Sequence, residues 1–216
     1  MTDRLILLLP SICMLACFSS IWLEARNHQS LCIKVKGLAS LAFVGFAWDL
    51  GAVNSTYGQM LLIGLVFSAL GDVLLAMKTQ KRWFLLGIIA FLLAHVFYAL
   101  AFAQTSFDTN KLPLILPVIT VFLLLTLLWL RRHLSGLFKL AVPVYILAIG
   151  VMLIFAWGNQ TPTAWWWIVG GASLFALSDL FVARNRFVKA DIRNRIIGLP
   201  IYYLAQLVLA YSIVLV

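Results

Sequence analysis

The sequence predicts an all-α, polytopic membrane protein with about eight transmembrane helices. Of the 216 residues, 64% are hydrophobic and 11% are charged, whereas a soluble domain is about half apolar and about one-quarter charged. The hydrophobic residues also form successive runs of about 18 or more, the length that an α-helix needs to cross a bilayer. Since the connections between runs are short, residues 1–216 are predicted to form a single membrane domain.

Eight apolar runs are the candidate helices, in the order Leu5–Leu23, Gly37–Val53, Gly58–Met77, Trp83–Gln104, Leu112–Leu130, Leu137–Trp157, Ala164–Ala183 and Ile192–Val216. The first run also has features of a signal peptide, but an internal repeat gives it a partner, which favours a retained helix. The second is the weakest, because it is short and contains Asp49. The third and seventh are apolar apart from one Asp each, and the fourth and fifth contain no charged residue. The sixth and eighth each contain a proline, at Pro143 and Pro200.

The basic residues are concentrated in alternate connections. The net charge of +9 would suit a nucleic-acid-binding protein, but fourteen of the sixteen Lys and Arg residues lie in or beside the 1–2, 3–4, 5–6 and 7–8 connections. This is the positive-inside pattern, which predicts a multi-pass protein of the inner (cell) membrane with cytoplasmic basic loops and both termini outside. Membrane lipids are therefore the expected partners of these loops, and no nucleic-acid partner is predicted. The fourteen residues are Arg26, Lys34, Lys36, Lys78, Lys81, Arg82, Arg131, Arg132, Lys139, Arg184, Arg186, Lys189, Arg193 and Arg195.

The chain approximately repeats itself at an offset of 107 residues. Between Gly64–Ala76 and Gly171–Ala183, five of thirteen residues are identical, more than composition alone would give. We therefore expect two four-helix repeats, about 1–107 and about 108–216. An even number of helices returns the chain to its starting side, so the repeats would share one orientation and be related by a pseudo-two-fold axis along the membrane normal. Asp72 and Asp179 would then face each other at equal depth.

The two intramembrane acids are the strongest candidates for a functional site. An ionised Asp at the centre of a membrane helix costs about 2.5–3.5 kcal/mol, and such residues face the protein interior and are functional by default. The alternative is that each Asp only fixes helix packing by hydrogen bonding a neighbour. His95 follows Asp72 by 23 residues and Tyr202 follows Asp179 by 23 residues, so each half is expected to pair an acid with a polar partner.

Further polar residues are expected to line the same cavity. Tyr98 lies one turn from His95, and Gln206 lies one turn from Tyr202, so each pair shares a helix face. Tyr145 follows Pro143, and Lys36 opens the second predicted helix, where it either serves the cavity or only extends to the membrane surface. Taken singly, a membrane His is often a packing residue and a Tyr is often an interface anchor.

Metal-dependent and motif-based hydrolase chemistry is not indicated. Only three His and three Cys residues are present, and they are not arranged as a metal-ligand set or a disulfide framework. No GxSxG, HExxH or Walker motif occurs. No cofactor is predicted, and the remaining chemistry is acid–base catalysis by carboxyl groups.

Five segments in order resemble the YhhN-type lysoplasmalogenase family: "GLVFSALGDVLL", "LLAHVFYALAF", "VPVYIL", "LFALSDLFVA" and "YYLAQLVLAYS". They run over most of the chain. One departure is that Lys36 is followed by Gly37, where the family commonly has Lys-Pro. The resemblance implies an integral membrane hydrolase that cleaves the vinyl-ether bond of a lysoplasmalogen, a 1-alkenyl glycerophosphoethanolamine or glycerophosphocholine, to a fatty aldehyde and a glycerophospho-base. It also implies that Asp72 and Asp179 are catalytic.

Vinyl-ether hydrolysis suits a pair of buried carboxyl groups. Protonation of the alkene gives an oxocarbenium ion that water attacks, so the enzyme needs one protonated carboxyl and one carboxylate, as glycosidases do. Low-dielectric surroundings and a neighbouring carboxylate both favour keeping one proton, and either Asp could be the acid. The expected water- or substrate-orienting residues are His95, Tyr98, Tyr145, Tyr202 and Gln206, with Lys36 or the basic loops as candidate contacts for the phosphate of a lysophospholipid from the bilayer.

Two other functions fit the same sequence. A proton- or ion-coupled transporter would also use internal repeats and intramembrane acids, and would have broken helices, for which Pro143 and Pro200 are the candidates. A non-catalytic membrane scaffold would use the acids only for packing. The sequence specifies no oligomeric state.

Overall fold

The structure is a computed structural model that describes residues 3–77 and 80–216, with side chains described for residues 7–77, 80 and 82–216. Lys78 lies outside the described residues, as do the side chains of Arg4 and Lys81.

Within these residues, eight helices are long and apolar enough to cross a membrane. This confirms the predicted all-α, polytopic class. In chain order they are α1 Asp3–Ala25, α2 Gln29–Asp49, α3 Thr56–Ala76, α4 Lys81–Phe102, α5 Leu112–Leu130, α6 Phe138–Gly158, α7 Trp165–Ala183 and α8 Ile192–Tyr211.

The largest departure from the predicted boundaries is at the start of α2. This helix begins at Gln29 rather than at Gly37. The sequence-based boundary followed the apolar run, but helix formation continues through the polar residues before it. The prediction that Lys36 opens the helix is therefore wrong. Lys36 lies two turns inside α2 and is 3% exposed, so it does not extend to the membrane surface.

Helices that follow one another in the chain pack side by side, and helices of the first half also contact helices of the second half. In the first half α1 packs along α2 and α3 packs along α4, and in the second half α7 packs along α8. Across the halves, α2 contacts α8 and α6 contacts α4. Glycines allow close approach in both halves: a Cβ on Gly64 would overlap the ring of Tyr98 on α4, and a Cβ on Gly171 would lie 2.6 Å from the side chain of Leu209 on α8.

Four prolines lie inside continuous helices, at Pro10 in α1, Pro117 in α5, Pro143 in α6 and Pro200 in α8. Pro143 and Pro200 therefore do not divide their helices into separate segments. The broken helices that a transporter would be expected to have are not found at these two positions.

Aromatic rings fill the centre of the bundle, where α4, α7 and α8 meet. The fully buried ring of Phe175 on α7 stacks on His95 at a centroid distance of 4.4 Å. It also contacts Phe91 and Tyr98 of α4 and Tyr202 of α8 at 5.6–6.1 Å. Ring pairs at these separations are favourable beyond the area they bury, so this cluster fixes the polar side chains beside it.

Candidate functional site

A cavity between the helices contains both intramembrane acids. The empty space within it and at its open mouth is about 1010 Å³. Most of its walls are apolar, including residues of α3, α4, α5, α6 and α7. The polar side chains on its walls include Lys36, Asp72, Tyr145, Asp179, Asn194, Arg195 and Tyr202. The arrangement suits an amphiphilic ligand.

Asp72 is held by hydroxyl groups from two other helices. It lies on α3, four residues before the helix ends at Ala76, and is 7% exposed. Its Oδ2 accepts hydrogen bonds from Ser40 of α2 at 2.6 Å and from Tyr202 of α8 at 2.9 Å. Two hydroxyl donors on one oxygen suit an ionised carboxylate, because hydrogen bonds to the charged form stabilise it.

Asp179 occupies the corresponding place on α7, four residues before that helix ends at Ala183. Its Oδ2 accepts a 3.0 Å hydrogen bond from the Tyr145 hydroxyl of α6 and lies 3.3 Å from Nε2 of His95 on α4. The imidazole contact is within ion-pair distance but does not have hydrogen-bond geometry. We therefore describe it as an electrostatic contact. The imidazole nitrogen on that side is buried and has no hydrogen-bond partner among the described residues.

The hydrogen bonding of His95 determines where its proton lies. Nδ1 is 2.7 Å from the carbonyl oxygen of Phe91, which can only accept, so Nδ1 carries a hydrogen. In the neutral imidazole Nε2 then presents a lone pair towards Asp179.

Three of the predicted site residues, His95, Tyr98 and Gln206, do not line the cavity. Tyr98 donates a 2.6 Å hydrogen bond to Oε1 of Gln206, and its oxygen lies 3.1 Å from the Ser68 hydroxyl. Tyr98 and Gln206 are both fully buried, and neither lies on the cavity wall. Their geometry is that of a packing contact between α3, α4 and α8, so direct contact with a substrate is not supported for them.

The acids also have different partners from those expected. The 23-residue spacing suggested that Asp72 pairs with His95 and Asp179 with Tyr202, within each half. Instead, Asp72 contacts Tyr202 and Asp179 contacts His95, so each acid has a partner in the opposite half as well as one in its own. Helix packing brings these residues together, because α8 packs against α2 and α3, and the His95 ring of α4 stacks on Phe175 of α7.

Three residues beside the cavity were not recognised from the sequence. Ser40 lies one turn after Lys36 on the same face of α2, and a polar pair at that spacing in an apolar helix was the available signal. Arg195 was counted only among the basic residues in or beside the 7–8 connection, and Asn194 was not considered, although both line the cavity. Asn194 is locked in place, since its amide accepts from Arg184 at 2.6 Å and donates to the Lys189 carbonyl at 2.9 Å.

A charged cluster occupies one end of the cavity. Nζ of Lys36 lies 3.9 Å from Oε2 of Glu24, and Nε of Arg195 lies 3.6 Å from Oε1 of the same carboxylate. Glu24 belongs to the last turn of α1, and Arg195 to the first turn of α8. The two cations are therefore held near each other by one carboxylate.

Comparison with known proteins gives consistent matches. The family model described as YhhN matches residues 31–213. The chain is 33% identical to "Lysoplasmalogenase TMEM86A" of Bos taurus over 71% of this chain and 65% of that protein. It is 31% identical to "Lysoplasmalogenase TMEM86B" of Sus scrofa over 92% of this chain and 82% of that protein. It is 32% identical to a "Lysoplasmalogenase" of Mycobacterium tuberculosis over 67% of this chain and 55% of that protein.

The chain thus spans just under two-thirds of the length of the TMEM86A relative that it matches. No solved structure matches the chain significantly. Because the family model covers most of the sequence, the chain belongs to the YhhN family.

Proposed function

We propose that this protein is a lysoplasmalogenase, which hydrolyses the vinyl-ether bond of a 1-alkenyl glycerophospholipid to a fatty aldehyde and a glycerophospho-base. The observation that carries the proposal is that Asp72 and Asp179 line one cavity within the membrane-spanning helices. The names of the relatives from Bos taurus, Sus scrofa and Mycobacterium tuberculosis support the same activity. The apolar walls would hold the alkenyl chain, and the substrate would come from the bilayer.

The reaction needs only water and two carboxyl groups. A carboxylic acid donates its proton to the alkene carbon remote from the ether oxygen, and the π electrons form the new C–H bond. The carbon attached to oxygen becomes part of an oxocarbenium ion, which adds water. That water loses a proton to a carboxylate and leaves a hemiacetal. The hemiacetal then passes its hydroxyl proton to the carboxylate that donated the first proton, and the C–O bond to glycerol breaks. The glycerol oxygen takes the proton that the other carboxyl accepted from water, which releases the aldehyde and restores both carboxyl groups.

Asp179 is the better candidate for the proton donor. Its Oδ2 lies 3.3 Å from Nε2 of His95 and accepts a hydrogen bond from the Tyr145 hydroxyl. Beside a neutral imidazole whose Nε2 presents a lone pair, a protonated Asp179 would carry the proton that is transferred to carbon. General acid catalysis by such a positioned group contributes about 10²–10⁴-fold.

Asp72 is the better candidate for the carboxylate. Its Oδ2 has hydroxyl groups from Ser40 and Tyr202 within 2.9 Å, which suit a charged oxygen. An ionised Asp72 would stabilise the oxocarbenium ion electrostatically and accept the proton of the attacking water. Electrostatic stabilisation of this kind is commonly the largest contribution to catalysis in a cavity that excludes bulk water.

We also propose that the site lies on a pseudo-two-fold axis between repeats of about 1–107 and 108–216. Asp72 contacts Tyr202 and Asp179 contacts His95. Residues 72 and 179 are 107 positions apart, as are 95 and 202. A two-fold relation produces reciprocal contacts of this kind. If a residue of the first half contacts one of the second half, the equivalent residues contact each other in the opposite sense. The pairings of α2 with α8 and of α6 with α4 are related in the same way.

The charge pattern supports an orientation for the site. With the basic connections in the cytoplasm, the ends of α3 and α7 that carry the two acids face the cytoplasmic side, and both termini lie outside. The cavity would then draw its substrate from the cytoplasmic leaflet of the cell membrane.

Aldehyde release by purified protein in detergent tests the proposed activity. We expect release from a 1-alkenyl lysophospholipid without an ion gradient. The matched 1-alkyl lysophospholipid should be inert because it has no double bond to protonate, and the 1-acyl lysophospholipid should be inert because its ester does not form the same cation. Uptake of intact substrate into vesicles, with no aldehyde, would instead support a transporter. Equal cleavage of the acyl lipid would rule out the vinyl-ether mechanism.

A further inference from the structure

Each helix that donates a hydrogen bond to Asp72 also carries a cation on the cavity wall, one or two turns before the donor. On α2, Lys36 lies one turn before Ser40, which bonds to Asp72. On α8, Arg195 lies two turns before Tyr202, which bonds to the same oxygen. At these spacings the residues of each pair share a helix face. On both helices the cation is therefore nearer the start of the helix, and the hydroxyl group that bonds to Asp72 is further along it.

This order places the cations at a defined end of the cavity. Lys36 is about 6 Å from Ser40 along the axis of α2, and Arg195 is about 10 Å from Tyr202 along α8, at 1.5 Å per residue. Both helices begin at the same side of the bundle as the ends of α3 and α7, since successive helices alternate in direction. The cation layer therefore lies between the acids and the membrane surface predicted to be cytoplasmic.

The two cations retain donors for a ligand. Their separations from Glu24, 3.9 Å for Lys36 and 3.6 Å for Arg195, exceed the usual 2.9–3.0 Å of an N–H···O hydrogen bond. Neither side chain makes a hydrogen bond to another described residue, and Nε of Arg195 is buried without one. Glu24 does not line the cavity, whereas Lys36 and Arg195 do. The carboxylate thus lies behind the cations and leaves them facing the cavity.

We propose that Lys36 and Arg195 bind the phosphodiester of the lipid and so select phosphate-bearing alkenyl glycerols over neutral ones. This inference rests on the proposed function. A glycerophospholipid places an anionic group one glycerol unit from its vinyl ether, which matches a cation layer about one to two helical turns from the acids. Arg and Lys donors pair strongly with phosphate oxygens. Binding of the phosphate there would direct the alkenyl chain into the apolar part of the cavity.

Substrate pairs and two variants test the phosphate site. We expect Arg195→Gln and Lys36→Gln each to raise KM for a 1-alkenyl lysophospholipid about 10-fold or more, since hydrogen bonds to charged groups are the stronger ones. Their kcat should stay within about 3-fold, and their kinetics with a neutral 1-alkenylglycerol should match the unmodified protein. Arg195→Lys should restore part of the affinity. Arg193→Gln is the matched control, because Arg193 is exposed in the same helical turn and lies outside the cavity.

Several outcomes would overturn the inference. Equal losses on the phosphorylated and neutral lipids would mean that the two cations only stabilise the fold. An unchanged KM in both variants would mean that the phosphate lies elsewhere. Strong competition by inorganic phosphate or glycerophosphate, equal to that by the whole lysophospholipid, would point to a site for free anions rather than for a lipid headgroup.

A binding measurement separates this inference from the proposed activity. If the unmodified protein releases no aldehyde from either lipid, the proposed function fails. Binding of the non-cleavable 1-alkyl lysophospholipid and of 1-alkylglycerol then still tests the phosphate site. We expect the phosphorylated analogue to bind about 10-fold or more tightly, and Arg195→Gln to abolish that difference. Equal binding of the two analogues to the unmodified protein would contradict the inference.

Discussion

The Tyr202 hydroxyl donates a 2.9 Å hydrogen bond to Oδ2 of Asp72, so an acid on α3 is held by a residue of the last helix. At the position 107 residues earlier the chain has His95, and its imidazole lies 3.3 Å from Oδ2 of Asp179. The two acids thus have equivalent places but chemically different partners. The tyrosine hydroxyl supplies a hydrogen bond to its carboxyl, whereas the imidazole makes an electrostatic contact with its acid. We expect this difference to give the two carboxyl groups separate roles in the proposed reaction.

Replacing either acid by its amide is expected to abolish most activity. Asn keeps the shape of Asp and one hydrogen-bonding oxygen, but it can neither donate a proton to carbon nor carry a charge. We expect Asp72→Asn and Asp179→Asn each to lower kcat by about 100-fold or more. The measurement is aldehyde release from a 1-alkenyl lysophospholipid, with size-exclusion profiles and helical circular dichroism to establish folding.

Asp49→Asn is the matched control, because Asp49 is also at the end of a transmembrane helix but does not line the cavity. It should retain close to full activity. If both variants at 72 and 179 keep near-normal rates while folded, the two-carboxyl mechanism is wrong.

His95 is expected to act through Asp179 rather than on the substrate, because it contacts the acid but does not line the cavity. His95→Gln keeps a polar group of similar reach but cannot accept a proton from the carboxyl. We expect kcat to fall about 10-fold or more, with KM nearly unchanged. The double variant with Asp179→Asn should be no slower than Asp179→Asn alone, because residues that act as one unit are not additive.

Multiplicative losses in that double variant would contradict the pairing. They would show that His95 contributes independently of Asp179, for example by supporting the stacked ring of Phe175.

The sequence predicted those features of the site that can be recognised within one helix, and not those that depend on contacts between helices. Asp72 and Asp179 are recognisable because an acid in an apolar run is costly and conspicuous whatever it contacts. The partners of each acid depend on which helices pack together, and a spacing of 23 residues within a half carries no information about contacts between halves. Tyr202 was therefore assigned to the wrong acid, although its relevance was predicted.

Lys36 and Arg195 illustrate a second reason. A helix limit drawn at the edge of an apolar run left Lys36 outside the second predicted helix, but α2 begins eight residues before that run and buries Lys36. Arg195 lies in the first turn of α8 and faces the cavity. A long cationic side chain at a helix end can extend to water or fold inward, and only the packing around it decides between them.

Because α3 packs closely on α4 at Gly64, we expect even a methyl side chain at this position to destabilise the protein. A Cβ at this position would overlap the ring of Tyr98, which is held by hydrogen bonds to Gln206 and Ser68. We expect Gly64→Ala to lower the Tm in detergent, because overpacking costs about 1–3 kcal/mol. This exceeds the gain in helix propensity of about 1 kcal/mol.

Gly170→Ala is the control for that gain, since a Cβ there would meet no other described atom within 4 Å. Its Tm should stay the same or rise. A similar rise in both variants would show that the two helices are not tightly packed at Gly64.

Tyr98→Phe separates a packing role from a role in catalysis. Loss of the hydroxyl leaves Oε1 of Gln206 and the Ser68 hydroxyl without this partner in a buried region, which costs about 1–3 kcal/mol. We expect a lower Tm and unchanged KM and kcat, because Tyr98 does not line the cavity. Tyr145→Phe is the comparison, since Tyr145 lines the cavity and bonds to Asp179, and it should lower kcat. A fall in kcat without loss of stability in Tyr98→Phe would instead support the sequence-based assignment of Tyr98 as a residue that orients water or substrate.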